Sequence, residues 1–457
     1  MKEIIIKNPY TLDIVGSIAT TPQITIDKFI DSALKFQSPL NRYQRAEIFK
    51  NVHLLLETDK NYAAKLITQE TGISINDSYY EVSRVLNVLT LAIAELLTER
   101  NDILESDISP NIAERKVLTY RTPLKGIVYA ITPFNHPINQ VAHKIIPALA
   151  TNNRVILKAS EKTPLSAQYF CDLLFSAGLP REMLLSIYGD PISLYKYLSS
   201  QSAIELISFT GGVSVGKYIA NRSGYRRLIL ELGGNDPLII FADADLETAA
   251  ELVVQGSYKN SGQRCTAIKR VLVHEDVADE LTELVVDKTR SWRAGDPFDE
   301  TIKMGTVIDE NAARVIEYRI EEAIAQGARL RYGHQRSGAL LQPTVLDKVT
   351  STMSIVTEET FGPVTPILTF SKVDELINLV NNTKYGLSAG VCTYRMDLIT
   401  TLAKQLHIGT LNVWEVPGFR TELSPFGGVK NSGLGIKEGI RESFKNYTNL
   451  QTLTLPW

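Results

Sequence analysis

Cys265 closes the run Asn260-Ser261-Gly262-Gln263-Arg264-Cys265, where glycine and polar neighbours follow a helix-like stretch, a setting that presents a thiol rather than packs it. Such a cysteine is a candidate nucleophile: thiolate is the form that attacks carbon, and an adjacent arginine or a helix terminus favours ionisation relative to a free pKa of about 8.5. The remaining cysteines read differently. Cys171, in Tyr169-Phe170-Cys171-Asp172-Leu173-Leu174, and Cys392, in Gly390-Val391-Cys392-Thr393, have the surroundings of a helix or strand interior, where cysteine acts as a small hydrophobe. A second chemistry-bearing stretch is Phe209-Thr210-Gly211-Gly212-Val213-Ser214-Val215-Gly216-Lys217. It follows a strand-like run and opens a helix, so its backbone amides suit a phosphate or pyrophosphate at a helix N-terminus. Gly211, Gly216 and Lys217 also imitate the phosphate loop of a nucleoside triphosphatase, with the apolar run into Asp243 as its acidic strand. Tyr218 stands where a magnesium-binding Ser or Thr is required, which makes that the weaker reading. A plain structural turn is the third alternative.

These residues need a scaffold, and 457 residues exceed the size at which one core usually stops growing, so two or three packed domains are expected. A formal net charge of −3, without Lys or Arg clusters, gives no field for nucleic acid. Three scattered cysteines lack metal-ligand spacing, so neither a disulfide framework nor a metal site is expected. The opening Met1-Lys2-Glu3-Ile4-Ile5-Ile6-Lys7-Asn8-Pro9 has too short an apolar run for a signal peptide, and no run approaches membrane-spanning length. A reducing cytoplasm is the expected location.

From about Thr25 to Arg100, apolar residues recur at helical spacing, as in Ala46, Phe49, Val52, Leu55 and Leu56 and again in Val82, Leu86, Leu89, Ile93 and Leu96, with Gly72 as a stop signal. Strand-like and helix-like segments then alternate. Strands are expected at Leu118 to Leu124, Gly126 to Ile131, Arg154 to Lys158, Leu184 to Tyr188 and Ile204 to Phe209, with helices after Pro137 and Pro164. A second alternating series runs from Leu238-Ile239-Ile240-Phe241 through Arg270 to His274 and on to about Asn412. This is the sequence form of α/β architecture with parallel sheets. The tail run Leu450-Gln451-Thr452-Leu453-Thr454-Leu455 is too isolated to pair locally and is expected to join a sheet in another domain or subunit.

Seven stretches together resemble the aldehyde dehydrogenase superfamily over nearly the whole length, in the family's order and at about its spacing. They are Thr132-Pro133-Phe134-Asn135-His136-Pro137, Leu157-Lys158-Ala159-Ser160-Glu161, Phe209-Thr210-Gly211-Gly212, Glu231-Leu232-Gly233-Gly234-Asn235, Gly262-Gln263-Arg264-Cys265, Glu358-Glu359-Thr360-Phe361-Gly362-Pro363 and Pro425-Phe426-Gly427-Gly428-Val429-Lys430-Asn431-Ser432-Gly433. The resemblance implies a Rossmann-type NAD-binding domain from residues 1–107 and 125–232, an α/β catalytic domain from 233–436, and a small β oligomerisation element from 108–124 and 437–457. It also implies a homo-oligomer, a dimer or tetramer. Gly212, where many members carry serine, is a departure that only eases approach of the cofactor.

By this resemblance Cys265 attacks the aldehyde carbon to form a thiohemiacetal, the Asn135 amide and the Cys265 N–H hold its oxyanion, and Glu231 is the base that hydrolyses the thioester left after hydride transfer. Glu231 also counts against the coenzyme-A-acylating branch, so a free acid is the expected product. Glu359 matches the contact to the nicotinamide ribose and Phe361 the aromatic beside it. Lys158 and Glu161 match the contacts to the adenosine ribose, where a carboxylate repels a 2′-phosphate, so NAD is expected over NADP. Thr132, Pro133, Phe134, Ser160, Phe209, Thr210, Gly211, Gly212, Val215, Leu232 and Gly233 complete the expected cofactor contacts.

For the substrate, Arg264 beside the nucleophile, His136 beside Asn135, and Arg84 on the helix around residues 79 to 97 suit an anionic group, with Arg420 a further candidate. The bland alternatives are a surface Arg84, a helix-start His136 and a structural Arg264. The run Asn260 to Arg270, Val416-Pro417-Gly418-Phe419-Arg420 and the closing Leu455-Pro456-Trp457 look most like the phosphonoacetaldehyde dehydrogenase branch. Phosphonoacetaldehyde is therefore the expected substrate, with glyceraldehyde 3-phosphate, sulfoaldehydes, lactaldehyde and succinate semialdehyde as alternatives.

Overall fold

The computed structural model describes residues 2–108, 110 and 115–456. Residues 109 and 111–114, inside the segment 108–124, and Trp457, in the closing run, lie outside the described residues.

A five-stranded parallel sheet runs in the order Leu184–Ser186, Arg154–Lys158, Ile127–Ile131, Ile204–Thr210, Arg227–Glu231. Its strands are near-continuous apolar runs because both faces are covered. One face packs on the helices Arg42–Thr58, Ile75–Thr98, Pro137–Ala150 and Pro164–Ser176, and the other on Gln23–Lys35, Pro191–Ser200 and Val213–Ala220. The chain reverses direction across the sheet between Ile127–Ile131 and Ile204–Thr210, and the crevice outside the carboxyl ends of two such strands is where this architecture takes ligands.

The helical region expected from Thr25 to Arg100 consists of four helices, and Gly72 ends one of them in the left-handed conformation at φ 71°. In Ile75–Thr98, Val82, Val85, Leu89, Ala92 and Leu96 form the buried stripe. Ser74 caps its start by accepting from the Asp77 N–H. Asp77, Tyr80 and Arg84, spaced by three and four residues, share another face, and that face borders the site described below.

The second sheet has seven strands in the order Arg329–Tyr332, Thr344–Asp347, Val364–Phe370, Arg270–His274, Pro237–Ile240, Ser388–Cys392, Thr410–Val413. Only the edge strand Arg329–Tyr332 is antiparallel to its neighbour. Cys392 in this sheet and Cys171 in the helix Pro164–Ser176 are fully buried, as their apolar surroundings indicated.

Two features depart from the sequence reading. The tail strand Thr448–Leu455 pairs within the chain, antiparallel to Lys116–Pro123, with Leu453 opposite Leu118, and Asp102–Glu105 completes a three-stranded sheet. The helix Ile440–Asn446 packs against Pro137–Ala150 and delivers the tail to its partner, so the isolation seen along the sequence disappears in space. The second departure is an N-terminal hairpin of Glu3–Lys7 with Ile14–Ala19, whose turn is closed by Asn8 Oδ1 accepting from the Tyr10 and Thr11 N–H groups.

Candidate active site

The segment carrying Cys265 leaves the helix Leu246–Tyr258 through three consecutive left-handed residues, Asn260 at φ 60°, Ser261 at φ 54° and Gly262 at φ 70°. Left-handed backbone costs non-glycine residues roughly 1 kcal/mol or more each and persists only where the surroundings hold it. Here they do. Asp77 Oδ2 accepts from the Asn260 N–H at 2.9 Å, Asn260 Nδ2 donates to the Asn135 carbonyl at 3.1 Å, and Ser261 Oγ donates to the Gly305 carbonyl at 3.2 Å. A Cβ at Gly262 would stand 2.3 Å from the Gly362 carbonyl oxygen, so only glycine fits there. The reversed path sets Cys265 on the wall between two cavities, of about 270 and 220 Å³, which share Cys265, Asn135 and Gln140.

The larger cavity opens at the sheet's switch point. It brings Cys265, Glu231 and Asn135 together with Pro133, Phe134, Thr210, Gly211, Gly212, Leu232, Gly233, Glu359 and Phe361. The Phe134 and Phe361 rings meet edge to face, centroids 6.0 Å apart. Nothing lies within 4 Å of the place a Cβ would occupy at Gly212, so the start of the helix Val213–Ala220 is open to a phosphate group. A dinucleotide fits this crevice: glycine backbone and a helix start at one part, the Glu359 carboxylate against Gly233 and Gly234 at another. The bound cofactor would supply a hydride acceptor.

Other expected cofactor residues lie outside this cavity. Lys158 ends the adjacent strand Arg154–Lys158, Ser160 and Glu161 follow it, and Lys158 Nζ pairs with Glu161 Oε2 at 2.7 Å. Burial works against the Glu161 charge, but Lys158 holds its carboxyl below the usual carboxylate range. Thr132 and Phe209 are buried, and Val215 is exposed on the helix Val213–Ala220.

Glu231 ends the strand Arg227–Glu231, and neither of its carboxylate oxygens has a hydrogen-bond partner among the described residues. Burial, and then the neighbouring Glu438 carboxylate, raise its pKa well above the usual range, against the pull of Lys144. Asn135 Nδ2 donates to the Gln263 carbonyl at 2.8 Å, which docks the amide on the cysteine segment. Burial pushes the Cys265 thiol up to about 11, with Lys269 and Arg420 acting in the opposite direction.

The smaller cavity gathers Arg84, His136, Arg264 and Arg420, but it does not leave them equally available. Arg84 is forked onto Glu422, Nε to Oε1 at 2.7 Å and Nη2 to Oε2 at 3.1 Å. His136 Nδ1 lies 3.4 Å from Glu81 Oε2. Arg264, beside Cys265, turns its Nη2 back to the Gln255 and Gly256 carbonyls at the end of the helix Leu246–Tyr258, while its buried Nε has no hydrogen-bond partner among the described residues. Arg420 differs. Its guanidinium lies 3.8 Å from the centroid of the Phe426 ring and, among the described residues, makes no hydrogen bond or ion pair.

Several residues at this site escaped the sequence reading: Lys259, whose ammonium sits 3.4 Å from the centre of the Tyr80 ring, Glu422, the buried pair of Lys144 with Glu438, and Lys269. Lys269 had a visible signal, a lysine four residues after Cys265 and directly before the apolar strand Arg270–His274. The others are ordinary helix or loop residues until tertiary contacts are known.

The aldehyde dehydrogenase family model matches residues 1–453. The chain is 38% identical to the sulfoacetaldehyde dehydrogenase of Neptuniibacter caesariensis, covering 98% of each chain. It is 33% identical to the 3-sulfolactaldehyde dehydrogenase of Priestia aryabhattai, over 98% of this chain and 94% of the relative. The NADP-dependent glyceraldehyde-3-phosphate dehydrogenase of Bacillus halodurans C-125, solved with NADP, superposes with a TM-score of 0.96 at 34% identity, covering 99% of this chain and 96% of that one. The two relatives are named for sulfonated aldehydes rather than phosphonoacetaldehyde.

Proposed function

The chain belongs to the aldehyde dehydrogenase family, and we propose that within it this enzyme oxidises a small aldehyde bearing a sulfonate or phosphonate to the free carboxylic acid. The observation that carries the anionic substrate is Arg420, which lines the cavity it shares with Cys265 with its hydrogen-bonding fork unengaged. A fork of N–H donors stacked on an aromatic ring matches a tetrahedral oxyanion in geometry and charge. Lys259 on Tyr80 adds a second cation without an ion-pair partner among the described residues. The naming of the relatives favours sulfoacetaldehyde, and phosphonoacetaldehyde has the same group shape with a different central atom.

In this reading Cys265 Sγ attacks the aldehyde carbon while the Asn135 amide and the Cys265 N–H face the oxygen that becomes negative. The Cys265 N–H has no hydrogen-bond partner among the described residues, which leaves it available for that oxygen. Glu231, which lines the same cavity as Cys265, takes as a carboxylate the proton of the water that hydrolyses the thioester. For the dinucleotide, the ionised Glu161 supports NAD over NADP, and Lys158 at 2.7 Å tempers the repulsion it offers to a 2′-phosphate.

Self-association as a dimer or tetramer completes the proposal. The three-stranded sheet exposes Ile103 and Leu104 on its edge strand and Leu450 and Leu453 on the tail strand, apolar side chains on both faces. No helix among the described residues is long and apolar enough to cross a membrane. The test of function is reduced-dinucleotide formation across sulfoacetaldehyde, phosphonoacetaldehyde, glyceraldehyde 3-phosphate, succinate semialdehyde, lactaldehyde and an uncharged aldehyde. The anionic reading predicts the highest kcat/KM among the sulfonate and phosphonate members, and a preference for the uncharged aldehyde would refute it.

A further inference from the structure

Behind the nucleophile lies an ammonium group that neither the family motifs nor the substrate argument uses. The Lys269 side chain is 2% exposed, and its Nζ donates to the Arg264 carbonyl and to the Cys265 carbonyl, each at 2.8 Å. The same Nζ lies 3.6 Å from Glu359 Oε1 and 5.9 Å from the centroid of the Phe361 ring. An ammonium has three protons, and here three acceptors surround it: two consecutive carbonyls of the cysteine turn and one carboxylate of the cofactor cavity.

The direction of those carbonyls matters. The Arg264 C=O and the Cys265 N–H belong to one peptide unit, planar and trans, so they point in opposite directions. The Arg264 oxygen accepts from Lys269 Nζ and from the Ala267 N–H at 3.1 Å, so Lys269 helps turn the Cys265 N–H away from itself, and that N–H has no partner among the described residues. We propose that Lys269 is a positioning residue for this reaction, an anchor that aims the Cys265 N–H and ties the nucleophile's turn to the Glu359 carboxylate. It therefore couples the two halves of the site, the thiol with its oxyanion donor and the carboxylate in the dinucleotide crevice. The proposal rests on the reading of Cys265 as nucleophile.

The charge environment agrees with the geometry. The groups acting on the sulfur are Lys269, Arg420 and Arg264 on the positive side and Asp236 and Glu359 on the negative side, with Glu231 lining the same cavity. After burial, Lys269 is the largest influence on the thiol, and it also opposes the upward push of burial on Glu359 and Asp236.

The test uses the full-length enzyme with Lys269→Met, which keeps the side-chain volume, and Lys269→Arg, which keeps the charge. Alkylation of Cys265 by iodoacetamide is followed as a function of pH by mass spectrometry, without turnover and without added dinucleotide. In Lys269→Met the alkylation profile should move to higher pH, making the rate at least about tenfold slower at a fixed pH below the thiol's pKa, since one pKa unit is tenfold in thiolate fraction. KM for the dinucleotide should rise severalfold and kcat should fall, while KM for the aldehyde changes little. Lys269→Arg should recover most of the alkylation profile, which a merely structural role would not produce. An unshifted alkylation profile, or an unchanged KM for the dinucleotide, in a folded Lys269→Met enzyme overturns the proposal. Should that variant not fold, Lys269→Gln, which keeps N–H donors without the charge, is read by the same two outcomes. Failure of the underlying reading is separate: it appears as turnover by Cys265→Ala.

Discussion

The Arg84 guanidinium and the Glu422 carboxylate form a forked pair, Nε to Oε1 at 2.7 Å and Nη2 to Oε2 at 3.1 Å, with Glu422 almost wholly buried and His143 Nε2 2.6 Å from the same Oε2. Burial alone would raise the Glu422 carboxyl, yet His143 and Arg84 hold it far below the usual carboxylate range. An arginine stays charged at every ordinary pH, so the permanent charge facing Glu422 is that of Arg84. Arg84 thus serves a neighbouring side chain first and the cavity second.

Arg84→Ala should therefore destabilise the fold, by about 3 kcal/mol as a buried pair loses one partner. The ratio of kcat/KM for anionic over neutral aldehydes should hardly move. Denaturant unfolding read beside that ratio decides the matter; a collapsed ratio with native stability would make Arg84 a substrate ligand.

Arg420→Ala should do the reverse. Losing a charged hydrogen-bond donor costs roughly 1.5 to 3 kcal/mol, so KM for a sulfonated or phosphonated aldehyde should rise about ten- to a hundredfold. Because Arg420 also acts on the Cys265 sulfur, a neutral aldehyde of similar length is the control and should be affected much less.

Cys265→Ala should lose turnover with every aldehyde and keep dinucleotide binding, since the cofactor crevice is built mainly from other residues. Glu231→Gln should differ in kind, giving one equivalent of reduced dinucleotide and a persistent acyl adduct by intact mass. An unchanged steady-state rate in that variant would show that another base suffices.

The pH dependence follows from the raised pKa of Glu231, caused by burial and then by Glu438. Only the deprotonated fraction acts as base, so turnover limited by hydrolysis should climb with pH above the ordinary carboxyl range, and the climb should vanish in Glu231→Gln. Linkage has a definite sign as well. A raised carboxyl contributes stability below its unfolded value of about 4.3 and loses it as pH rises through the folded value. Melting temperatures of Glu231→Gln should accordingly fall less towards alkaline pH than those of the native enzyme.

Glu161→Thr should shift the cofactor ratio towards NADP. The substitution removes a carboxylate and also frees Lys158, now paired at 2.7 Å, to meet a 2′-phosphate. The measure is kcat/KM with NAD over kcat/KM with NADP, and an unmoved ratio would place the discrimination elsewhere.

Motif spacing and periodicity are properties of short segments, and what depends on them was legible in the chain itself. The strands Arg154–Lys158 and Arg270–His274 lie on the apolar runs, Gly72 stops a helix, and Cys265, Glu231 and Asn135, which only the family resemblance had put together, line one cavity. The hairpin of Glu3–Lys7 with Ile14–Ala19 was not, because strands this short depend on pairing more than on pattern. The tail strand lacks a local partner and finds one more than three hundred residues away, Leu453 opposite Leu118. Charge behaved the same way. Arg84, Arg264 and Arg420 are chemically identical along the sequence, and partners decide which is available: Glu422, 338 positions from Arg84; helix-end carbonyls for Arg264; an aromatic face alone for Arg420. Tertiary structure settles this because a charge's role depends on what lies within a few ångströms of it, and most of those neighbours are remote in sequence.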